Sequence, residues 1–118
     1  MGKNVVKDKS FSFALRVVKL AKYLQEQKKE FVLSKQVLRS GTAIGALVRE
    51  AEHAQSRPDF INKMSIALKE ANETDYWLDL LHQSDHITPK SFNSILPDIQ
   101  ELIKLLVSIV KTSKTENH

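Results

Sequence analysis

Cysteine is absent from this 118-residue sequence, and glycine and proline occur only three times each. Without cysteine there is neither a disulfide framework nor a thiolate zinc site, which fits a reducing compartment. Because glycine and proline are the residues that most often interrupt regular structure, their scarcity leaves room for a few long elements. We therefore expect an all-α fold.

Long hydrophobic runs are absent as well. No apolar segment approaches the ~18 residues of a membrane-spanning helix, and the opening segment MGKNVVKDKSFSF lacks the continuous apolar stretch of a signal peptide. We therefore expect a cytoplasmic protein that does not contact a membrane. The hydrophobic fraction of 42%, the charged fraction of 27% and the length are those of one ordinary globular domain.

The formal charge of +4 is distributed unevenly along the chain. Residues 1–30 contain eight Lys or Arg and three acids, whereas residues 57–84 contain three Lys or Arg and five acids. A basic excess on one third of the chain is typical of a nucleic-acid-binding surface. A solvated, lysine-rich helix face is the alternative, and charge alone does not separate the two.

Apolar residues recur at steps of three and four along four segments, the pattern of amphipathic helices packed on one another. The most regular segment, Asp59–Leu81, has an unbroken heptad seam from Phe60 to Leu81. The pattern predicts a bundle domain at 10–111 with helices at about 11–29, 35–55, 57–83 and 89–111, between a mobile basic arm at 1–9 and a polar tail at 112–118. Short connections between long helices predict an antiparallel up-down-up-down four-helix bundle.

Local residue chemistry predicts where these helices begin. The expected N-caps are Ser10, Ser34, Ser56 and Thr88. Within the fourth helix, Pro97 lacks the backbone N–H that a helix interior uses, so we expect it to kink or restart that helix.

Small residues indicate where helices approach closely. Gly41 and Gly45 lie one turn apart inside the second helix, where each costs roughly 1 kcal/mol relative to alanine, so a neighbouring backbone is expected beside them. Ala67 and Ala71 occupy the seam of the third helix. The second and fourth helices carry more apolar or small surface than one bundle core absorbs, and from this we infer a homo-oligomer.

Two acids, Glu70 and Glu73, interrupt an otherwise apolar stripe of the third helix. They can be read as an acid–base pair, as metal ligands or as partners of buried arginines. The third reading is favoured, because buried carboxylates need charged partners and Arg39 and Arg49 lie near the packed face of the second helix. The predicted structural charge network comprises Arg16, Arg39, Arg49, Glu50, Glu70 and Glu73.

No set of residues forms a recognisable catalytic or metal site. His82 and His86 lie one turn apart with Asp79 before them, but a turn is expected between the histidines and no third ligand is evident. Glu70 and Glu73 lack the Glu-x-x-His spacing of a di-metal bundle. We therefore expect no catalytic residue, no metal, no cofactor and no enzymatic activity.

Two blocks, LRSGTAIGALVREA (Leu38–Ala51) and DFINKMSIALKEANETDYWLDLL (Asp59–Leu81), resemble the family of 23S rRNA intervening-sequence proteins. That family is similar in turn to the accessory protein of diversity-generating retroelements. The resemblance implies a bacterial four-helix bundle assembled as a homopentameric ring, with no known enzymatic activity and no assigned function beyond suggested RNA or nucleic-acid binding. Two departures are Leu47, where the family often has Asn, and Pro97 in the fourth helix.

The favoured hypothesis is an oligomeric bundle that binds RNA, DNA or a nucleic-acid-processing protein. Its predicted phosphate contacts are Lys3, Lys7, Lys9, Lys19, Lys22, Lys28 and Lys29. The hypothesis lacks an aromatic stacking platform, since Tyr23 is the only aromatic residue near the basic face. A protein-binding scaffold is the alternative, and a metal-dependent enzyme using Glu70, Glu73 and histidines is a third.

Overall fold

The computed structural model describes residues 4–115, and in this range the chain forms four α-helices and no strand. The helices are α1 (Val5–Gln27), α2 (Leu33–Ala51), α3 (Arg57–Gln83) and α4 (Pro89–Thr115). They form an elongated bundle with extents of 50 × 22 × 22 Å. The all-α prediction is confirmed for the described residues.

Consecutive helices pack against each other, and α1 also packs against α4. Within the described range the backbones of α1 and α3 make no close approach, and neither do those of α2 and α4. The four helices therefore surround one core that is filled by side chains. Fully buried residues at heptad spacing supply it, for example Phe13, Val17 and Leu24 of α1 and Leu102 and Leu106 of α4.

The heptad seam of α3 lies in this core. The buried positions are Met64, Ala67, Ala71, Thr74, Leu78 and Leu81, while Phe60 at the start of the seam is half-buried. Thr74 is polar but satisfied, because its hydroxyl donates to the backbone carbonyl of Glu70 at 2.8 Å and lies 2.9 Å from Ser40 Oγ, whose hydroxyl can donate to it. The small residues of the seam let α2 and α3 pack closely.

The first helix begins at Val5, six residues before the predicted start. Asn4 caps it by accepting a hydrogen bond from the Lys7 N–H at 3.1 Å. Ser10, the predicted cap, is buried inside the helix and donates its hydroxyl to the Lys7 carbonyl at 3.1 Å. The predicted mobile arm is therefore wrong for residues 5–9, because Val6 and Ser10 extend the core seam. Residues 1–3 lie outside the described range.

The second helix is capped by a residue that lies before the predicted cap. Glu30 accepts hydrogen bonds from the N–H groups of Val32, Leu33 and Ser34 at 3.1, 2.8 and 2.7 Å. The predicted cap, Ser34, lies inside the first turn and is buried. The helix ends at Ala51 rather than near residue 55, because residues beyond it form the connection that caps α3.

The third and fourth helices begin as predicted. Ser56 accepts from the Asp59 N–H at 3.2 Å, and Thr88 accepts from the Ser91 N–H at 3.1 Å. The fourth helix runs without interruption through Pro97 to Thr115. The predicted polar tail is therefore wrong for residues 112–115, where a buried Ser113 continues the core seam and its carbonyl accepts from Arg57 at 3.3 Å.

Candidate nucleic-acid interface

The lysines near the start of α1 are engaged in ion pairs with other helices. Lys7 Nζ lies 3.2 Å from Glu52, just after the end of α2, and Lys9 Nζ lies 3.2 Å from Glu101 of α4. Both pairs are partly exposed, so each contributes little to stability, but each carboxylate offsets the lysine's charge. Lys7 and Lys9 are therefore weaker candidates for phosphate contacts than their sequence suggests. Lys3 lies outside the described residues.

The lysines toward the end of α1 are exposed and lack such partners. Among residues 4–115, no carboxylate lies within 4.0 Å of Lys19, Lys22, Lys28 or Lys29. Two further exposed lysines, Lys35 in the first turn of α2 and Lys90 in the first turn of α4, lie at the same end of the bundle. We call these six residues the basic end: Lys19, Lys22, Lys28, Lys29, Lys35 and Lys90.

Glu30 follows Lys29 of the basic end, and its charge is bound to the start of α2, whereas Glu26 of α1 is exposed. The carboxylate of Glu30 is bound to three backbone N–H groups at the start of α2, and its hydrogen bonds point along the helix axis. Partial burial raises the pKa of Glu30, but the hydrogen bonds from Leu33, Ser34 and Val32 outweigh it and hold the pKa below its ordinary value. Glu30 stays ionised at neutral pH and compensates the helix dipole.

Lys29 of the basic end has a left-handed backbone, with φ of 54°. This conformation follows the end of α1 and is favoured by glycine, because a Cβ is strained there. A lysine at this position gives up local stability that a glycine would supply. Asp85, with φ of 63°, has the same conformation after the end of α3. The two left-handed turns therefore lie at the same end of the bundle.

A groove of about 730 Å³ separates α1 from α4 beside the basic end. Its rims carry Lys19 and Tyr23 from α1 and Lys90 and Ser91 from α4. Tyr23 is 39% exposed. A second cavity of about 200 Å³ lies at the tip of the bundle, lined by Lys28 and by residues 85–89. Lys90 could not be predicted as part of this surface from the sequence, because only the fold places α4 beside the basic part of α1.

One wall of the groove is a fixed arginine. Arg16 donates to the Ser94 carbonyl at 3.0 Å, to Ser94 Oγ at 2.8 Å and to Asp98 Oδ2 at 2.7 Å. These contacts lie on either side of Pro97, whose missing N–H leaves the Asn93 carbonyl without its usual helical donor. Arg16 was predicted to join the charge network of α2 and α3, and it pairs instead with α4.

The acidic stripe of α3 meets one arginine of α2. Arg39 donates to Glu70 Oε1 at 3.1 Å and also to Glu73, whose carboxylate accepts from Trp77 Nε1 at 3.1 Å as well. The side chain of Arg39 is 50% exposed, whereas that of Glu70 is 12% exposed. The pairing follows the prediction, but the network lies at the surface of the α2–α3 seam rather than in the core. The reason is that Glu70 and Glu73 flank the buried stripe.

The remaining members of the predicted network lie elsewhere. The Arg49 guanidinium is 5.8 Å from the centre of the Phe11 ring, a cation–π contact between α2 and α1. Glu50 is exposed and lines a groove of about 670 Å³ next to Phe11. Arg49 pairs with neither Glu70 nor Glu73, and Glu50 has no ion pair within the described residues.

The two helical glycines differ in how closely α1 approaches them. A Cβ on Gly41 would lie 2.8 Å from both γ carbons of Val17, whereas a Cβ on Gly45 would lie 3.4 Å from the nearest atom, the Ser10 carbonyl oxygen. Close helix packing therefore requires glycine at position 41 and tolerates a methyl group at position 45. Ala67 and Ala71 are fully buried in α3.

Comparison with known proteins places the chain in a family. Residues 2–108 match the family model of the 23S rRNA-intervening sequence protein. The chain belongs to this family. It is also similar to a protein of unknown function from the S23 ribosomal protein family of Bacteroides thetaiotaomicron, known from a crystal structure at 1.70 Å resolution. The two are 62% identical with a TM-score of 0.88, over 90% of this chain and 98% of the other. No curated protein matches the chain.

This membership confirms the resemblance carried by the blocks Leu38–Ala51 and Asp59–Leu81. The blocks form most of α2 and α3, so the residues typical of the 23S rRNA-intervening sequence family build one side of the core. Leu47 is half-buried and packs against that core, which accounts for an apolar residue there. The family is one of unknown function, and its membership alone assigns no activity.

His82 and His86 are engaged in contacts other than metal binding. His82 stacks on Phe92 with ring centres 4.2 Å apart, and His86 Nδ1 lies 2.8 Å from Ser84 Oγ. Within the described part of the chain, no group of three or more His, Asp or Glu residues could hold a metal ion. None of the helices in that part is both long and apolar enough to cross a membrane.

Proposed function

We propose that this protein is a non-enzymatic, cytoplasmic member of its family that binds RNA through the basic end. The observation that carries the proposal is the division among the lysines of α1. Lys7 and Lys9 are offset by carboxylates, whereas Lys19, Lys22, Lys28 and Lys29 have none within 4.0 Å in the described structure. Unpaired lysines on an exposed surface contact phosphates without reading base sequence.

We further propose that copies of the bundle assemble into a ring, with five subunits as the family resemblance implies. Within each copy the helices would run up-down-up-down. This is supported by Lys7 meeting Glu52 at one end and by Gln25 Nε2 donating to Ser34 Oγ, at 3.1 Å, at the other. A ring would repeat the basic end, so several weak phosphate contacts would act together on one RNA.

The assembly is supported by an apolar stripe on the outer face of α1. Phe11, Leu15 and Val18 lie at helical spacing and are each about half exposed. Excess apolar surface was expected on the second and fourth helices, but on α4 Val107 is the one large apolar residue in the described range that is strongly exposed. Exposed apolar stripes of this kind are typical of protein contacts.

Fluorescence anisotropy with a labelled, structured RNA tests the binding proposal. We expect Lys22→Glu/Lys28→Glu to weaken binding at least tenfold, since two phosphate contacts become repulsive. The matched control is Lys111→Glu/Lys114→Glu, which makes the same charge change on exposed lysines near the end of α4, at the other end of the bundle. We expect the control to retain most of the binding.

The same titrations separate the proposal from its alternative. Equal losses in both double variants would show that net charge, rather than the basic end, governs binding. An absence of salt-dependent binding below tens of micromolar would contradict RNA binding altogether. The protein-scaffold function would then be favoured, with the α1 stripe as its contact surface.

A further inference from the structure

We propose that the groove between α1 and α4 holds unpaired RNA bases, so that the protein prefers single-stranded segments to duplex. This inference rests on the proposed RNA binding and adds the class of RNA. The inference is based on the apolar residues and the tyrosine that line the groove in addition to its lysines. A duplex is bound through phosphates and sugar hydroxyls on its outside, and it offers no exposed base faces to an apolar groove with a tyrosine on its rim.

The floor of the groove is apolar. Ile87 and Ile95 are 5% exposed and line it from α4 and the turn before it, and Leu20 lines it from α1. A volume of about 730 Å³ falls in the range of small-molecule sites, roughly 300–1,000 Å³. A flat, weakly polar base gains contact area on such a floor, whereas phosphates gain nothing from it.

Two planar groups stand on one rim. Tyr23 presents an accessible ring, and Arg16 presents a guanidinium whose edge is held by Ser94 and Asp98. The two residues are seven positions apart on α1, or about 10 Å along the helix axis. The Arg16 side chain is 40% exposed and its N–H groups are already bonded to α4, so a base would contact it by stacking, and bases stack on both tyrosine rings and arginine planes.

Cations lie on both rims beside these planar groups. Lys19 lies between Arg16 and Tyr23 on α1, and Lys90 faces it from α4. Neither has a carboxylate within 4.0 Å in the described structure. A strand whose bases enter the groove would therefore place its phosphates near a lysine on each side. A groove that combines an aromatic ring with basic groups is the arrangement that binds single strands without sequence preference.

The test compares one RNA in two forms, using anisotropy on the full-length protein. The probes are a labelled, unstructured 12-nucleotide RNA and the same RNA annealed to its complement. We expect tighter binding of the single strand. We expect Tyr23→Ala to weaken single-strand binding roughly five- to a hundred-fold and to leave duplex binding within twofold. Tyr23→Phe, which keeps the ring, should bind like the wild type.

The matched control is Tyr76→Ala, which removes an exposed tyrosine from the outer face of α3. It should not change either affinity, and thermal melting of each variant checks that the fold is intact. Equal binding of the two RNA forms, or an unchanged single-strand affinity in Tyr23→Ala, would overturn this inference. If Lys22→Glu/Lys28→Glu still weakened binding in that case, the proposed function would stand. If neither RNA bound at all, both proposals would fail.

Discussion

At the scale of single residues, the two glycines of α2 show that equal spacing in sequence does not mean equal packing. Both were predicted to admit a neighbouring helix. Only at Gly41 does the neighbour, Val17, lie so close that a methyl group has no room. At Gly45 the nearest atom is at ordinary contact distance. The difference arises from the α1 residue next to each glycine. Gly41 faces the branched side chain of Val17, whereas Gly45 faces the backbone carbonyl of Ser10.

We therefore expect opposite effects from the same substitution at the two glycines. Gly41→Ala should lower the free energy of unfolding, because overpacking a core typically costs about 1–3 kcal/mol and exceeds the gain in helix propensity. Gly45→Ala should leave stability unchanged or raise it by up to about 1 kcal/mol, since alanine favours the helix. Urea denaturation of both variants measures this. Two equally destabilised variants would contradict the packing described for Gly45.

Asp75 is a half-buried acid of α3 whose ionised form is disfavoured. Burial raises its pKa above the ordinary value, and Asp79 one turn later raises it further. An acid with a raised native pKa binds its proton more tightly in the folded than in the unfolded state. Its ionisation therefore destabilises the fold progressively as the pH rises through the native pKa, and the effect is absent below the pKa of the unfolded chain.

We expect Asp75→Asn to raise the melting temperature at pH 7, because the amide carries no charge at any pH. The difference from wild type should shrink as the pH is lowered toward the ordinary aspartate pKa of about 4. Asp79→Asn, which removes the repulsion but leaves Asp75 half-buried, should have a smaller effect. A stabilisation of Asp75→Asn that is independent of pH would contradict this explanation.

At the scale of elements, α2 depends on a side chain that precedes it. Glu30 follows the left-handed Lys29 and accepts hydrogen bonds from the N–H groups of Val32, Leu33 and Ser34 at the start of α2. We expect Glu30→Ala to reduce the free energy of unfolding by about 1–2 kcal/mol, the usual cost of losing an N-cap. Glu26→Ala, at an exposed position of α1, should change it by less than about 0.5 kcal/mol.

The pH dependence of the Glu30 contribution follows from its lowered pKa. The stabilisation is present above the pKa of the unfolded chain and is lost as the pH falls through the native pKa. Thermal melts of wild type and Glu30→Ala should therefore differ most near pH 7 and converge in acid. A constant difference down to pH 3 would show that packing of the Glu30 side chain, rather than its charge, is responsible.

Much of the fold could be predicted from the sequence, because heptad seams and the caps Ser56 and Thr88 are local signals. The start of α1 could not be predicted, because serine is a common N-cap residue. Ser10 instead lies inside the helix, where its hydroxyl donates to the Lys7 carbonyl. The cap by Glu30 was missed because it depends on the left-handed turn at Lys29, which lacks the glycine that usually marks one. The candidate site was predicted only in part. Glu52 and Glu101, the acids that pair with Lys7 and Lys9, are distant from these lysines in the sequence. The pairs can therefore be identified only once the fold is known.

At the scale of the whole molecule, unpaired lysines and exposed apolar residues of α1 occupy different parts of the bundle. The start of α1 is neutralised by α2 and α4, whereas the basic end is open and adjoins a groove with an accessible tyrosine. Phe11, Leu15 and Val18 of the apolar stripe do not line that groove, and Phe11 lines the cavity beside α2 instead. In our proposal the apolar stripe contacts other copies of the protein and the basic end contacts RNA.

The salt dependence of RNA binding by the wild-type protein tests this account most directly. Each lysine that neutralises a phosphate releases a counterion, so the logarithm of the affinity falls by about 0.7–0.9 per contact for each tenfold rise in salt. We predict that the slope of log affinity against log salt has a magnitude of at least about three between 50 and 200 mM salt. In Lys22→Glu/Lys28→Glu the slope should be smaller by the contribution of about two contacts, and in Lys111→Glu/Lys114→Glu it should be unchanged. A wild-type affinity that does not depend on salt would contradict the account.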